Sequence, residues 1–454
     1  MSLRFKPTEL QSFNWFYNIS PCFPINGSKV NVIMDPRRFY DTLNERFKNA
    51  RHRISIASLY IGTGELEKRL LDVTKHNLIL NKQLKLNVLL DYQRGTRGEI
   101  NSRTIIEELV NVAPDQCKMA MYQTPRLQGY WSKILPARYN EIVGLQHMKL
   151  YIADDSVIIS GANCSNDYFQ NRQDRYIEIE DGDLASFYCE LIDEVTKFSK
   201  QDFVDINLVQ NSKWTVVKDV NNNISKLIEK WKIKQKNKLA HSAEDATDTW
   251  VFPLVQMGEF DITQDEYATS KILASAPKGS YIHLATGYFN LTENYSNTLL
   301  KTCKANISLL MAHPNANGFM GAAGPAGGIP YAYSLIAKKF WEKVMNSNQT
   351  RRIHMLEYER PNWTFHAKGL WYYPSRSGRP WATVVGSANL GERSVKRDLE
   401  AQAAIFTSSP ELQEKLHEEC HNIHQYAAEC SKALQGRQVP LWVQATVGLF
   451  RTYF

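Results

Sequence analysis

The sequence predicts an α/β fold made by duplication, in which two halves related by an approximate twofold axis pack around one shared cleft. The first indication is a pair of His-x-Lys segments, residues 147–163 and 366–389, each of which continues as a strand-like run and closes on Ala-Asn. The second is a match, position by position, between residues 54–60 and residues 282–288, two strand-like runs that carry a hydroxyl and end in tyrosine. Ser58 precedes His147 by 89 residues, and Thr286 precedes His366 by 80. This agreement in order and spacing indicates a repeated α/β unit.

The remaining elements of each half follow in the same order. Phe39, Leu43 and Phe47 recur every fourth residue within 36–48 and predict an amphipathic helix ahead of the first strand. A second apolar strand is predicted at 84–91 and at 306–311, and closing helices are predicted at 184–199 and 410–434. We therefore expect an N-terminal half at 1–205, a polar linker at 206–250 that is partly helical and partly mobile, and a C-terminal half at 251–454.

Bulk composition narrows the class of protein. The 454 residues are 43% apolar and 22% charged, which is ordinary for a globular protein, and the net charge of +7 mildly favours anionic partners such as phospholipid, nucleotide or nucleic acid. Seven scattered cysteines without a CxxC pair argue against a disulfide framework. No apolar run reaches the roughly 18–20 residues that cross a bilayer, and the N-terminus lacks the apolar stretch of a secretory signal.

The paired motif has the residues for chemistry on a phosphate. A neutral imidazole attacks phosphorus while a protonated imidazole opposite it gives a proton to the leaving oxygen, so two histidines on two halves suffice. Lys149 and Lys368 stand two residues after their histidines and project to the same side, where they neutralise phosphoryl oxygens. Asn163 and Asn389 offer amide hydrogens to the same oxygens.

Each histidine also needs a partner on its second ring nitrogen, to fix its tautomer and orientation. An acid stands eleven residues beyond each asparagine, Asp174 in the first half and Glu400 in the second. The equal offset predicts that each acid orients the histidine of its own half. The alternative is that both are ordinary surface acids, because only the offset supports the assignment.

These residues resemble the phospholipase D superfamily, whose signature is H-x-K-x4-D followed by G-S-x-N in two copies. The first copy fits through Asp154, whereas the second carries Tyr373 where the superfamily has aspartate. The resemblance implies a duplicated phospholipase D-like α/β sandwich with one active site between the halves. It also implies a covalent phosphohistidine intermediate and catalysis without a metal or other cofactor.

Within that superfamily, residues 57–67, 89–98, 135–147 and 317–321 are similar to the eukaryotic mitochondrial phosphatidylglycerophosphate synthases, and the likeness runs from about residue 12 to the end. It implies transfer of a phosphatidyl group from CDP-diacylglycerol to sn-glycerol 3-phosphate, with release of CMP, in cardiolipin biosynthesis. It further implies a peripheral protein on the matrix face of the mitochondrial inner membrane. His147 is then expected to attack phosphorus, and His366 to carry the proton.

The acceptor brings its own phosphate, so cationic groups beyond the two lysines are expected. Guanidinium groups grip phosphate in bidentate fashion, and a glycine-rich loop lets backbone amides approach an anion. The arginines could instead cap a turn, and the loop could be a plain connection. The predicted substrate-binding residues are Arg94, Arg97, Arg138, Ser58, Tyr60, Thr286, Tyr288, Gly318 and Gly321.

Two further patterns bear on partners. Residues 417–421 read H-E-x-x-H, with another histidine at 424, but no third ligand follows in a motif context, so we expect a solvated helical face rather than a metal site. Apolar and aromatic clusters at 13–17, 127–135 and 440–454 are candidates for contact with an anionic membrane surface, or for core packing.

The sequence leaves rival functions open. One is another phosphatidyltransferase, which makes phosphatidylserine or cardiolipin. A second is a tyrosyl-DNA phosphodiesterase, whose nucleic-acid substrate calls for a long basic groove that +7 supports weakly, so nucleic acid is not expected. The third is a lipid-binding scaffold without activity. The sequence makes no prediction of oligomeric state.

Overall fold

The protein is built on two large β-sheets whose strands occur in the same spatial order. The computed structural model describes residues 4–127, 143–201, 213–241, 247–322 and 324–450. The first sheet has the order β10-β5-β4-β3-β6-β7-β9-β2. Its strands are β2 (Val30–Ile33), β3 (Arg53–Ala57), β4 (Lys85–Asp91), β5 (Cys117–Tyr122), β6 (Leu150–Ala153), β7 (Ser156–Ser160), β9 (Tyr176–Glu180) and β10 (Lys200–Gln201).

The second sheet repeats this order as β20-β15-β14-β13-β17-β18-β19-β11 and adds β1 beyond β11, with β12 paired to β11. In both sheets three parallel strands, β3-β4-β5 or β13-β14-β15, adjoin antiparallel ones. Its strands are β1 (Phe23–Ile25), β11 (Thr249–Met257), β12 (Ile262–Thr263), β13 (Tyr281–Thr286), β14 (Asn306–Ala312), β15 (Ile353–Tyr358), β17 (Gly369–Tyr373), β18 (Ala382–Gly386), β19 (Leu399–Thr407) and β20 (Ala427–Glu429).

A two-stranded ribbon, β8 (Arg172–Gln173) with β16 (Thr364–Phe365), joins the halves. The α-helices of the described residues cover the sheets. They are α1 (Phe16–Ile19), α2 (Pro36–Asn49), α3 (Glu65–Leu80), α4 (Tyr92–Gly95), α5 (Ser102–Val112), α6 (Asn166–Gln170), α7 (Gly182–Lys197), α8 (Lys213–His241), α9 (Gln264–Ser275), α10 (Glu293–Asn297), α11 (Ile329–Asn346), α12 (Glu392–Lys396), α13 (Pro410–His424), α14 (Ser431–Gly436) and α15 (Leu441–Phe450).

Local sequence accounts for the predicted elements. Helix α2 begins after Asp35, whose carboxylate accepts the N–H groups of the next turn, and Pro36 occupies the first helical position, where its missing N–H is not needed. Phe39, Leu43 and Phe47 are buried on one face, as predicted. The parallel strands are apolar along most of their length because both faces are covered.

The largest core lies between the two sheets. It combines side chains of the first half, such as Ile159 and Leu191, with side chains of the second, such as Trp371 and Leu416. The two closing helices, α7 and α13, contribute to this layer, so the halves share one apolar interior rather than touching at polar surfaces. The prediction of a duplicated α/β fold is confirmed by the matching strand orders.

Residues 213–241 of the predicted linker form a 29-residue helix, α8, that buries Ile224, Leu227 and Trp231 in the central core. Two other expectations about the organisation need correction. The N-terminal segment belongs to the second sheet, because β1 pairs with β11 and residues 5–16 pack into the second half's core. Residues 410–434 are not one helix, because strand β20 interrupts them.

Two further findings concern the whole fold. Within the described ranges, no helix combines the length and apolarity that crossing a bilayer requires. All seven cysteines are free thiols, in agreement with the expectation from their spacing.

Candidate active site

The two histidines lie at equivalent points of the two halves, where the halves meet. His147 immediately precedes Met148 and Lys149 at the start of β6, and His366 stands in the same relation to β17. Both side chains are mostly buried, with 11% of His147 and 5% of His366 exposed. The duplicated motif therefore forms one site between the sheets.

Each imidazole binds a carboxylate of the opposite half. Nδ1 of His147 lies 2.9 and 3.0 Å from the two carboxylate oxygens of Glu400. Nδ1 of His366 lies 2.6 Å from Asp174. Both acids are buried, so they are not surface acids, and both lie where they can orient an imidazole. The prediction that each acid serves its own half's histidine is wrong, because the pairs are crossed.

Backbone pairing between the halves explains the crossing. The N–H of His147 donates to the carbonyl of Leu399, the residue before Glu400, at 2.9 Å. The N–H of His366 donates to the carbonyl of Gln173, the residue before Asp174, at 2.8 Å. Each histidine segment thus runs alongside the acid-bearing segment of the other half, which brings side chains from two halves to one place.

The two lysines lie under the histidines and are fully buried. Nζ of Lys149 donates to the carbonyl of His147 at 2.7 Å, and Nζ of Lys368 donates to the carbonyl of His366 at 2.7 Å. Burial lowers the pKa of Lys149 well below its ordinary value, although Glu400 opposes the shift. Burial also lowers the pKa of Lys368, to about 8, against the pull of Asp174. Two lysine amino groups thus lie together at the base of the site.

The same burial governs the histidines and acids. Burial and the neighbouring lysines lower the pKa of His147 and of His366 well below the ordinary value, which favours the neutral imidazole. Burial raises the pKa of Asp174 to about 6, with Lys368 opposing, and raises the pKa of Glu400, with Lys149 opposing. A neutral imidazole on a carboxylate is the state that a nucleophile requires.

The side chains of Asn163 and Asn389 each lie within hydrogen-bonding distance of a hydroxyl group, that of Tyr168 and that of Thr286 respectively. The amide of Asn163 donates to the hydroxyl of Tyr168 at 3.3 Å, and that hydroxyl lies 3.3 Å from Nε2 of His366. Oδ1 of Asn163 is buried without a hydrogen-bond partner in the described part of the chain. Oδ1 of Asn389 lies 3.5 Å from the hydroxyl of Thr286.

Comparison with known proteins decides the family. The chain matches no protein-family model. It is 39% identical to the human mitochondrial CDP-diacylglycerol–glycerol-3-phosphate 3-phosphatidyltransferase, over 99% of this chain and 87% of that one. The Saccharomyces cerevisiae protein of the same name is 34% identical over 90% of this chain and 84% of that one. The chain belongs to the CDP-diacylglycerol–glycerol-3-phosphate 3-phosphatidyltransferases.

The fold has its own counterpart among solved structures. The crystal structure of Haemophilus influenzae phosphatidylserine synthase matches 98% of this chain and 97% of that one with a TM-score of 0.72, at 20% identity. This likeness concerns the fold, and it confirms the predicted phospholipase D-like architecture for this phosphatidyltransferase. The resemblance to the family, drawn from the paired motifs and the surrounding segments, is confirmed by the relatives.

Asp154, the aspartate of the first motif of this phosphatidyltransferase, does not lie beside the histidine of that motif. Asp154 follows β6, at the far end from Lys149; the four residues of the strand lie between them, and five steps of about 3.3 Å place their Cα atoms roughly 16 Å apart. Its carboxylate accepts the N–H groups of Arg51, His52 and Arg53 at 2.8–3.1 Å. The structure thus places Asp154 as a cap for a turn and not beside His147.

Tyr373 takes the corresponding position in the second half. It is the last residue of β17, and its hydroxyl lies 3.2 Å from Nδ1 of His417. The departure from the motif is therefore remote from Lys368, which precedes the first residue of the same strand. It does not distinguish the chemistry of the two histidines.

Of the predicted substrate-binding residues, the two hydroxyl residues hold the backbone of the turns, and Tyr288 lies beside a histidine. The hydroxyls of Ser58 and Thr286 are buried and donate to the carbonyls of Tyr60 and Tyr288, so they hold the strand-end turns. The ring of Tyr288 lies 5.6 Å from the ring of His366, which places this tyrosine in the site.

Of the predicted arginines and glycines, Arg94 and Gly318 lie beside other residues of the site, whereas Arg97 and Gly321 are exposed. The guanidinium of Arg94 lies over the ring of Tyr60, 4.9 Å from its centroid, whereas Arg97 is exposed. Arg138 lies outside the described residues. Gly318 borders the site, because a Cβ there would lie 3.3 Å from the guanidinium of Arg172. Gly321 is exposed and has a positive φ of 76°.

Two arginines that the sequence reasoning missed lie near the histidines. Arg172 has its guanidinium over the ring of Tyr168, at 4.6 Å, and its charge lowers the pKa of His366. Arg393 is paired with Asp398 at 3.0 Å, and its charge lowers the pKa of His147.

A repeat signal could have found these arginines. Each half carries an oppositely charged pair four and nine residues beyond its asparagine: Asp167 with Arg172 in the first half, and Arg393 with Asp398 in the second. The signs are reversed between the halves, so a search for identical residues passes over them. Both arrangements nonetheless deliver one arginine to the neighbourhood of a histidine.

One trio at this site also has the chemical types that ligate metals. His147, Asp398 and Glu400 have donor atoms within 4.8 Å of one another. Nδ1 of His147 is already engaged by Glu400, and Asp398 accepts the N–H of Leu145 at 3.0 Å and pairs with Arg393. These contacts give the trio a role in orienting the imidazole.

Proposed function

We propose that this site transfers the phosphatidyl group of CDP-diacylglycerol to sn-glycerol 3-phosphate, with His147 as nucleophile and His366 as proton carrier. The observation that carries the proposal is the pair of buried imidazoles, each bound through Nδ1 to a carboxylate and each next to a lysine. A transfer in two displacements needs one nucleophile, one acid and base, and cations for the phosphoryl oxygens. The name shared by the relatives gives the donor and the acceptor.

In the first displacement, Nε2 of His147 attacks the phosphorus that carries diacylglycerol. A P–N bond forms, the P–O bond to CMP breaks, and the leaving phosphate oxygen takes the proton of His366. The described residues form no hydrogen bond to Nε2 of His147, whereas the hydroxyl of Tyr168 lies 3.3 Å from Nε2 of His366. This difference supports His147 as the nucleophile and His366 as the residue held for proton transfer.

In the second displacement, His366 is neutral and accepts the proton of a glycerol 3-phosphate hydroxyl. The hydroxyl oxygen attacks the phosphorus, a P–O bond forms, and the P–N bond to His147 breaks. Burial favours neutral imidazoles in the empty site. The negative pyrophosphate of the donor would raise the pKa of His366 while it is bound and so favour the protonated form that the first step uses.

Cations around the histidines suit two phosphate-bearing substrates. Lys149 and Lys368 lie beneath the imidazoles, and Arg172 and Arg393 lie beside them. We assign the lysines to the transferred phosphoryl group and the two arginines, with Arg94, to the pyrophosphate and the acceptor phosphate. Arg97 is exposed, and its role in substrate binding remains part of the proposal.

We further propose that the protein works at a mitochondrial membrane, on the matrix face of the inner membrane. Several relatives are named as mitochondrial, and both the donor and the product are membrane lipids. Leu441 and Trp442 are 83% and 52% exposed, and Trp442 packs on Gly328 of the glycine-rich loop. Exposed apolar side chains at this point would insert at an anionic interface.

Two other proposed membrane contacts change in the light of the fold. Phe13 and Phe16 are buried in the second half's core and are unavailable to lipid, so the cluster at 13–17 is a packing element. Most of the cluster at 127–135 lies outside the described residues. Flotation with vesicles that contain anionic lipid tests the remaining surface: Leu441→Ser with Trp442→Ser should weaken binding, and equal flotation of the variant would reject it.

The reaction is tested by incubating the protein with CDP-diacylglycerol and labelled glycerol 3-phosphate. His147→Ala and His366→Ala should each abolish CMP release, whereas His354→Ala, which alters an exposed strand residue, should not. An acid-labile phosphatidyl adduct should form on His147 when acceptor is omitted. Absence of CMP release by the parent rejects the function, and an adduct on His366 instead reverses the two roles. L-Serine and phosphatidylglycerol as acceptors test the rival transferases.

A further inference from the structure

A second cluster of metal-ligating side chains lies away from the proposed active site. His283 projects from β13, and Cys420 and His424 project from one face of α13, four residues apart. Their donor atoms lie within 4.8 Å of one another. Around a tetrahedral metal bound at about 2.0–2.3 Å, donors lie roughly 3.4–3.7 Å apart, so side-chain movements of about 1 Å would suffice to close the shell.

Two ring nitrogens of the cluster have no hydrogen-bond partner in the described part of the protein. Nδ1 of His424 lies 2.7 Å from the carbonyl of Cys420, so it carries the proton and donates, and the lone pair is on Nε2. Nε2 of His424 and Nδ1 of His283 are both buried without a hydrogen-bond partner in the described part of the protein. Buried polar atoms are nearly always hydrogen-bonded, and these two belong to rings whose centroids lie 4.9 Å apart, so their lack of partners requires an explanation.

This arrangement is the one that metal-binding histidines adopt. A ligating imidazole almost always gives its other N–H to a carbonyl or carboxylate, and His424 already does so. The ring centroid of His283 lies 4.9 Å from that of His424, so the two imidazoles are direct neighbours. Neutral nitrogen with sulfur is a donor set that favours zinc.

The thiol completes the set. Burial raises the pKa of Cys420 to about 12, and a hydrogen bond with Tyr373 opposes the shift. A metal ion would displace the thiol proton, so that binding releases one proton and strengthens as pH rises. Tyr373 stands where the motif of the superfamily has aspartate, and its ring centroid lies 5.2 Å from that of His283. The half that departs from the motif is thus the half that carries this cluster.

We propose that His283, Cys420 and His424 form a zinc site, with water at the fourth position, that fastens α13 to the second sheet. The site is distinct from the H-E-x-x-H pattern in the same helix. His421 of that pattern is exposed, and His417 is engaged with Tyr373. Two ligands come from α13 and one from β13, so the ion would cross-link helix and sheet.

The fastening has a structural consequence near the histidines. Helix α13 also carries Glu419, whose carboxylate accepts two hydrogen bonds from the guanidinium of Arg175, at 2.8 and 2.9 Å. Arg175 is fully buried and directly follows Asp174, and its N–H donates to the Asp174 carboxylate at 2.8 Å. A helix held in place by zinc would therefore keep Arg175 and Asp174 in position beneath His366.

The test uses the full-length protein after removal of metal with a chelator, with Co²⁺ and Zn²⁺ as the probes. The parent should bind Co²⁺ with a thiolate-to-metal charge-transfer band, and Zn²⁺ should displace it and raise the melting temperature. Cys420→Ser should lose the band, and His424→Gln should weaken binding by more than the roughly 10- to 100-fold typical of losing an outer-shell partner. His421→Gln is the matched control, because it removes an exposed imidazole from the same helix, and it should bind as the parent does.

Several results would overturn the proposal. They are Co²⁺ bound without a thiolate band, loss of binding in His421→Gln, and no binding at all. Should Cys420→Ser fail to fold, X-ray absorption spectroscopy of the Zn²⁺-loaded parent replaces it. One sulfur ligand at about 2.3 Å beside nitrogen ligands at about 2.0–2.1 Å is expected, and a shell without sulfur would reject the site.

Discussion

Replacing Glu400 by glutamine tests the crossed pairing directly. Its carboxylate lies 2.9–3.0 Å from Nδ1 of His147 and is fully buried. His147 gains positive charge as it attacks phosphorus, so the carboxylate stabilises the transition state more than the ground state. Two unit charges 2.9 Å apart attract by roughly 5–6 kcal/mol at an effective dielectric constant of about 20. The glutamine oxygen would retain a hydrogen bond worth about 1–1.5 kcal/mol, and the charge is not fully developed.

A net loss of about 3–4 kcal/mol of transition-state stabilisation follows, which is a fall in kcat of about 10²–10³. The assay is CMP release under saturating substrates, together with the rate of adduct formation on His147 when the acceptor is omitted. Asp154→Asn is the matched control, since it makes the same chemical change in the aspartate of the motif. It should leave kcat within about twofold and lower the free energy of unfolding by about 1–2 kcal/mol, because backbone N–H groups lose an acceptor.

The comparison between these variants can refute the assignment. The crossed arrangement is wrong for the working enzyme if Asp154→Asn abolishes CMP release in a folded protein while Glu400→Gln leaves it intact. Burial acts to raise the pKa of Asp154, but the backbone hydrogen bonds of Arg51, His52 and Arg53 outweigh it and lower the pKa. The stability that this ionised cap contributes is therefore present above the unfolded value near 4 and is lost at lower pH.

Three further predictions concern the site and the fold. Gly161→Ala should lower kcat at least about tenfold, since its Cβ would lie 2.6 Å from the Asp174 carboxylate, whereas Gly436→Ala, with open space around it, should not. The pH profile of kcat/KM should be bell-shaped: activity rises through about 6 as Asp174 ionises and falls above about 8 as Lys368 loses its proton, and a profile flat between about pH 5 and 9 would contradict these roles. Trp231→Ala should lower the free energy of unfolding in urea by about 3–5 kcal/mol, and a loss below about 1 would mean that α8 is a loose linker.

The fold could be predicted from the sequence because the strand patterns of one half occur again, in the same order, in the other half. The matched strands at 54–60 and 282–288 became β3 and β13, and they hold the same place in their sheets. The burial of one face of α8 was not predicted because the helix is mostly polar: its buried residues, such as Ile224 and Trp231, are spaced along a long charged helix. That face becomes recognisable as a core face only through its packing against α7 and against Phe23 of β1.

Two features of the site were beyond the reach of spacing. Asp174 and Glu400 have equal offsets whichever histidine they bind, so the crossed pairing depends on how the halves dock. Asp154 looks like a member of the site because it closes a motif, yet one strand length carries it to the opposite end of β6. A motif records residues that are retained together, and it does not record which of them meet in space.

The crossed carboxylates also explain why the duplicated halves remain one unit. His147 takes its carboxylate from β19 of the second half, and His366 takes its carboxylate from the segment before β9 of the first. Neither half alone contains an oriented imidazole, although each contains a histidine, a lysine and an acid. The apolar core between the sheets and the backbone pairs at Leu399 and Gln173 hold the halves in register. A single docking event therefore orients both imidazoles, and a disturbance of the interface should impair the nucleophile and the proton carrier together.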